Sequence, residues 1–295
     1  MKHRMSPSRA LFLVFDVLLL IGIAFVCLAP VWHVTMASFS SPAELNVSKG
    51  LVIWPLGDPD AQAYRIILQY KKLWNSYRNT ICYIFCQCLL TGILTIIAGY
   101  VFSRKRLFYR NGFMLMISFT MLFNGGMIPT YMVIRSLKMI DTPFAMVIPG
   151  CLTVFNILLM RTSMQEIPDE LEEAARIDGA SELTVMFRVI LPLCKATFAV
   201  IMLFTAVAKW NDYMSAMLYL PTASEYYPLQ MILREILVTS TTDITSTTSI
   251  QNSMSIYKKA VEYAAIVVST LPILCIYPFV QKYFVSGVTL GAVKS

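Results

Sequence analysis

The sequence predicts an all-α polytopic membrane protein with six transmembrane helices, and three observations carry that expectation. Hydrophobic residue types make up 57 % of the 295 residues against 14 % charged, with a mean hydropathy of +0.64. A soluble domain carries about 45–50 % apolar and about 25 % charged residues, so a globule of this composition could not keep its surface wetted. A soluble enzyme, a disordered chain and, despite a pI near 9.0, a nucleic-acid module are excluded on that ground. Second, six segments are long and apolar enough for a hydrocarbon core that needs about 20 residues of helix. Third, the 24 basic side chains, set against 17 acidic ones, fall unevenly among the loops, as membrane orientation requires.

Taken in order, the spans are expected over residues 10–34, 79–102, 111–134, 143–160, 196–220 and 263–281. The first holds one charge, Asp16, near its expected cytoplasmic end. It exceeds the core of a cleavable signal and lacks a small-residue cleavage site. The second, third, fourth and sixth hold no charge, and the fifth holds Lys209 and Asp212. With the N-terminus inside, segments 1–9, 103–110, 161–195 and 282–295 contain 13 of the 24 Lys/Arg in 66 residues, against 11 in 103 residues outside. Short loops follow the positive-inside rule best, and the run Ser103-Arg104-Lys105-Arg106, closed by Arg110, is short and basic. Both termini are therefore expected in the cytoplasm, and residues 1–295 read as one transmembrane domain. Outside, 35–78 carries Trp54, Trp74 and the turn signal Leu56-Gly57-Asp58-Pro59, while the Ser/Thr-rich stretch 239–253 reads as a flexible loop.

Six of the seven cysteines lie inside apolar runs, Cys194 sits at the edge of one, and the chain has only His3 and His33. Cys82, Cys86 and Cys88 cluster, yet no Cys-x-x-Cys pair occurs, and cysteine packs as a small apolar filler. No disulfide framework, metal site or catalytic cluster is expected.

The segment 161–195 differs from every other loop. Between Glu166 and Glu182 it carries seven acidic residues and one base, Arg176. Pro168 suits the first turn of a helix, and Asp169, Glu170, Glu172 and Glu173 follow where the helix dipole favours anions. Gly179 is placed as a left-handed stop, Ser181 as the cap of a second short helix, and Pro192 as the opening of the next span. Leu171, Ala174, Ala175 and Asp178 share one face of the first helix. Its small alanines admit close approach of another surface, with glutamates available to basic partners; a solvated amphipathic loop is the plainer reading of the same pattern.

Glu173-Ala174-Ala175, Gly179 and Val189-Ile190-Leu191-Pro192 are spaced as in the EAA loop of ATP-binding-cassette importer permeases, with Val189 where isoleucine is usual. Ile167-Pro168 and Arg176-Ile177-Asp178-Gly179-Ala180 resemble the carbohydrate-uptake branch, the maltose-type second permease. So do Lys209-Trp210-Asn211-Asp212-Tyr213, Tyr227-Pro228-Leu229-Gln230, Tyr277-Pro278-Phe279 and the tail from Tyr283 to Lys294. Asn124-Gly125-Gly126-Met127-Ile128-Pro129 resembles a subgroup associated with complex oligosaccharides. The resemblance covers the chain from about residue 10 to its end.

That resemblance implies half of a transporter in the bacterial inner membrane. A companion permease, two ATPase subunits and an extracytoplasmic solute-binding protein are its implied partners, with ATP and Mg bound by the ATPase and no cofactor on this chain. The residues agree that hydrolysis lies elsewhere: a phosphate loop needs Gly-Lys, and the chain has no such dipeptide. Glu170, Glu173, Ala174, Ala175, Asp178, Gly179 and Pro192 are the expected coupling residues. Gly287, Leu290, Gly291 and Ala292 of the tail 282–295 are expected to meet the ATPase dimer or to fold back on the chain's own cytoplasmic face.

Intramembrane charges usually face a bundle interior or an aqueous cavity. Lys209 and Asp212 are read either as a mutually neutralised pair or as part of a substrate path with Trp210, Asn211, Tyr213, Gly125 and Gly126. A peptide or polyamine permease of the same architecture and, further off, a six-span secondary transporter are the alternatives left open.

Overall fold

The computed structural model describes residues 7–239 and 257–292. Among these, every regular element is helical. The chain divides into two compact units, Met1–Lys71 with Glu235–Leu271 and Lys72–Arg234 with Pro272–Ser295.

The first unit opens with α1 (Pro7–Ser38), a 32-residue helix about 48 Å long at the usual rise per residue. From Leu11 to Trp32 its side chains are nearly all exposed within this chain, whereas His33–Ser38 are half-buried or buried; the exposed stretch suits a helix solvated by lipid. After α1 the expected outer loop is folded rather than free. It contains α2 (Pro42–Val47) and α3 (Gln62–Gln69), and it bonds back to the end of α1. Trp32 Nε1 donates to Ile53 O at 2.8 Å, and Val52 N donates to His33 Nδ1 at 2.9 Å. Leu56 N donates to Ser40 Oγ at 3.0 Å, and Ser38 Oγ meets Tyr64 Oη at 2.6 Å.

The second unit is built on α4 (Lys71–Ser103), 33 residues without a break. Three of the expected spans differ from a straight crossing. The span placed at 111–134 is two helices, α5 (Arg110–Leu122) and α6 (Met127–Ser136), meeting at 109°. At the elbow Gly126 adopts φ +86°, open to glycine at no steric cost, and Asn124 Oδ1 accepts from Gly126 N at 2.8 Å. The span placed at 143–160 is α7 (Pro143–Val147), a 3₁₀ turn over Ile148–Gly150 and α8 (Val154–Gln165), bent by 45°. Pro149 and Gly150 sit at this break, Thr153 accepts from Asn156 N to restart the helix, and the helix runs on to Gln165.

After α9 (Asp169–Ile177) come α10 (Glu182–Thr184), a π-helical turn Val185–Ile190 and α11 (Leu191–Leu193). The span placed at 196–220 is then α12 (Lys195–Trp210), only 16 residues, which turns at Asn211 into α13 (Met214–Tyr219). α14 (Leu229–Thr239) and α15 (Lys258–Ala292) complete the chain. The backbone of residues 282–292, expected as a separate tail, continues α15. Most of the Ser/Thr-rich stretch and residues 293–295 lie outside the described residues. Among the described residues three helices are long and apolar enough to cross a membrane, or up to six if each bent pair is one crossing, the third such pair being Glu182–Leu193 with α12, bent by 83°.

The core of the second unit joins Ile96 and Tyr100 of α4, Met160 and Met164 of α8, Val185, Met186 and Ile190 of the π turn, and Ile201 of α12. The opposite end of α4 is held by polar groups. Asn79 Nδ2 donates to Glu225 O at 2.7 Å, Tyr83 Oη to Tyr226 O at 2.8 Å, and Thr80 Oγ1 accepts from Leu229 N at 2.8 Å. α4 thus connects the two regions in which the expected functional residues fall.

Candidate functional site

The first region is α9 and its turn. Pro168 stands just ahead of the helix with φ −57° and ψ 136°, and Asp169, Glu170 and Glu172 fill the first turn while Arg176 closes the last, as the helix dipole favours. Gly179 stops the helix at φ +82°. Its N–H donates to Arg176 O at 2.9 Å and Ala180 N to Ala175 O at 3.0 Å, so the last carbonyls are satisfied. Ser181 Oγ accepts from Thr184 N at 3.3 Å and starts α10. The Gly179 stop and the Ser181 cap stand where the sequence places them, whereas Pro168, expected in the first turn, precedes it.

What fixes α9 to the rest of the unit is a buried charge. Glu172 is only 4 % exposed. It accepts from Arg104 Nη1 and Arg176 Nη2, and from Tyr100 Oη at 3.4 Å. Glu182 joins the group, accepting from Tyr100 Oη at 2.7 Å and Arg176 Nη2 at 3.1 Å. The Arg104 guanidinium also lies 4.6 Å over the Tyr100 ring. At the surface Lys105 Nζ donates to Asp169 Oδ2 at 2.7 Å, and this hydrogen-bonded ammonium holds the Asp169 carboxyl below the usual carboxylate range. Charges on the short basic loop after α4 are thus matched by acids of α9.

The expected coupling residues separate by face. Glu170, Glu173, Ala174, Asp178, Gly179 and Pro192 are exposed, whereas Ala175 is half-buried and packs on the core cluster. The face expected to hold both alanines is therefore split. Beside the exposed acids stand apolar side chains with no cover in this chain: Ile177 at 86 % exposure, with Leu183 and Phe187 also open. Tyr100, Arg104, Glu172 and Glu182 were missed as site residues. The i, i+4 spacing of Glu172 and Arg176 was the one signal of this network within α9; Glu182 follows six residues after Arg176, and Tyr100 and Arg104 lie 72 and 68 residues from Glu172.

The second region is the turn after α12. Lys209 is buried, its Nζ donating to Met146 O and, at 2.8 Å, to Asp212 Oδ2. Asp212 Oδ1 accepts from Ser215 N at 3.0 Å, at the start of α13. The two charges neutralise each other, which reconciles Lys209 with an apolar site. They line a cleft of about 390 Å³ together with Gln87, Gly150, Ser215 and Tyr219. Gln87 Nε2 donates to Gly150 O at 2.9 Å, while its Oε1 is buried with no hydrogen-bond partner. A glutamine halfway along an uncharged span was the available signal for this residue.

The rest of the expected path scatters. Trp210 is buried against Tyr77, ring centroids 6.3 Å apart. Asn211 faces outward and donates to Val207 O at 2.9 Å, and Tyr213 lies under Arg234. Gly125 and Gly126 form the elbow of α5 and α6 and are not among the residues lining the cleft. Gly287, Leu290, Gly291 and Ala292 lie on the backbone of α15; their side chains are outside what the structure describes.

Comparison with known proteins follows this geometry. The polygalacturonan/rhamnogalacturonan transport system permease protein YtcP of Bacillus subtilis (strain 168) is 36 % identical over 283 residues, covering 95 % of this chain and 98 % of that protein. Protein LplC of the same organism is 34 % identical over 295 residues, covering 99 % and 98 %. A chain in the crystal structure of a bacterial ABC transporter involved in the import of the acidic polysaccharide alginate superposes with a TM-score of 0.86 at 35 % identity, covering 95 % of this chain and 99 % of that one. Residues 92–290, which take in α9, the cleft residues other than Gln87 and most of α15, match the profile described as binding-protein-dependent transport system inner membrane component. The chain belongs to that family of inner-membrane transport components.

Proposed function

We propose that this chain is the permease subunit of an ATP-binding-cassette importer that carries an oligosaccharide or polysaccharide fragment into the cytoplasm. It pairs with a companion permease, receives substrate from an extracytoplasmic solute-binding protein, and is driven by two ATPase subunits that bind ATP and Mg. Both termini and α9 face the cytoplasm.

The observation that carries this reading is α9. It is a short helix whose inner face is locked to α4 through Glu172 and whose outer face offers Glu170, Glu173 and Asp178 beside uncovered Ile177. An exposed apolar side chain rimmed by acids fits a cleft with an apolar floor and basic rim on a partner. Glu172 joins α9 to α4 so that a push on the outer face moves the membrane helix. The sugar class is supported by the names of YtcP and the alginate transporter.

The test is reconstitution of the four-component transporter in proteoliposomes, reading oligosaccharide uptake and substrate-stimulated ATP hydrolysis. Cysteines at Glu173 and Ala292 should crosslink to the ATPase. Uptake of no carbohydrate with any of a panel of oligosaccharides would overturn the substrate class. Crosslinks from Glu173 confined to this chain would overturn the docking, and the same result from Ala292 would mean that the tail folds back on the permease.

A further inference from the structure

The two cations near the turn after α12 are treated differently. Lys209 is neutralised by Asp212 at 2.8 Å. Arg234 of α14 is half-buried, and among the described residues it forms no ion pair. Its guanidinium carbon lies 5.9 Å from the centroid of the Tyr213 ring, and Tyr213 is 38 % exposed. Arg234 lies between the expected spans 196–220 and 263–281, and half-burying a guanidinium with no paired anion carries a desolvation cost that stacking on a ring offsets only in part. Aromatic groups continue beyond the turn: Trp210 meets Tyr77 at 6.3 Å, and Tyr77 meets Trp74, itself largely exposed, at 5.9 Å.

Resting on the importer reading above, we propose that Arg234 and Tyr213 form a subsite for a carboxylate-bearing sugar unit, a uronate, in the translocated chain. The planar guanidinium fork matches a carboxylate in a bidentate way that an ammonium cannot. The exposed ring of Tyr213 gives an apolar platform for the pyranose face next to it. Asp212, the acid next to Tyr213 in sequence, is paired with Lys209 and therefore presents little net charge to repel an anionic sugar, and Glu235, next to Arg234, is half-buried. The fixed cation thus answers a fixed anion on the cargo, and neutral sugar units gain nothing from it.

The experiment uses the complete transporter in proteoliposomes with two probes, tetragalacturonate and a neutral arabino-oligosaccharide. For tetragalacturonate, Arg234→Gln should lower uptake kcat/KM by about tenfold or more, as loss of a hydrogen bond to a charged group does. Uptake of the neutral probe, where it is carried at all, should be unchanged. Arg234→Lys keeps the charge without the fork and should fall between. Raising salt should weaken tetragalacturonate uptake in the wild type more than in Arg234→Gln. Wild-type handling of tetragalacturonate by Arg234→Gln would overturn the proposal. A wild-type transporter that carries the neutral probe but not tetragalacturonate would also overturn it while leaving the importer reading intact; one that carries no sugar would defeat both. Should Arg234→Gln fail to assemble, Tyr213→Leu decides, because unchanged tetragalacturonate uptake in that variant removes the platform and with it the subsite.

Discussion

Glu172→Gln keeps the shape of the side chain, removes its charge and turns one acceptor oxygen into a donor, so its effect measures how firmly α9 is held. In the wild type the carboxylate is 4 % exposed and is shared by Arg104, Arg176 and Tyr100. Arg176 retains Glu182, its other carboxylate, at 2.8 Å. Arg104 has no second carboxylate partner among the described residues, and its Nε and Nη2 are already buried without acceptors. Breaking a buried pair by removing one partner costs about 3–5 kcal/mol. Since Arg176 is still compensated and Arg104 keeps its stacking on Tyr100, the lower end, about 3 kcal/mol, is expected. That corresponds to roughly a 100-fold rise in the equilibrium for local opening of α9. Hydrogen–deuterium exchange of the complex in lipid nanodiscs reads it directly: amides of 173–180 should lose protection by that factor, while those in the middle of α4 should not. The exposed control, Glu170→Gln, should change protection little. Exchange over 173–180 indistinguishable from wild type would refute the claim that the buried carboxylate holds the helix in place.

Glu173→Lys puts a cation on the exposed face of α9, and like-charge juxtaposition across an interface costs several kcal/mol; transport and substrate-stimulated ATP hydrolysis should collapse while insertion and pairing with the companion permease, checked by copurification, persist. Gly179→Val places a β-branched residue at φ +82°, at a cost of about 1–2 kcal/mol or more, and should reduce ATPase copurification without lowering the amount of protein in the membrane. Asp141, itself at φ +59°, accepts from Thr222 N at 2.9 Å, Thr222 Oγ1 at 2.8 Å and Ala223 N at 3.0 Å, and these bonds, those from Thr222 foremost, hold its carboxyl below the ordinary range. Because the shift is downward, the tether is complete above an ordinary carboxylate pKa of about 3.9 and is lost as pH falls through the lowered value. Asp141→Asn should show at neutral pH the amide exchange at 222–223 that the wild type shows only in strong acid.

Local chemistry was legible in the sequence wherever a residue acts within one turn of itself. Gly179 stops α9 and Ser181 caps α10 because a missing Cβ and a short hydroxyl work on neighbouring backbone. The apolar runs also marked helix, since only helices and closed barrels keep a backbone satisfied in lipid and a barrel strand needs only about 9–11 residues where a helix needs about 20. Straightness was not legible. An apolar run reads the same whether its helix is continuous or kinked, so the elbow at Gly126 and the break near Gly150 were absorbed into single spans, although Gly125, Gly126 and Pro129 marked the first as irregular. The early end of α12 follows from Lys209 turning back to Met146 and Asp212, a contact no hydropathy window contains. Glu172 looked like one more solvated acid in a row of seven; only the folded chain brings Tyr100 and Arg104 to it, across a separation of 72 and 68 residues.

α4 can be read as a lever. Its two handles are Gln87, bonded to Gly150 across the cleft, and Arg104, just past its end and bonded to Glu172. They are 17 residues apart, about 26 Å of helix rise. A rigid rod of that length, pivoting at the Arg104 handle by ten degrees, swings its far end by about 4–5 Å. The hydrogen bond from Gln87 to Gly150 is only 2.9 Å long, so it breaks well before such a swing is complete. Opening the cleft then requires neither unfolding nor a flexible hinge within α4: a small rotation, applied where α9 is gripped, is magnified by length alone.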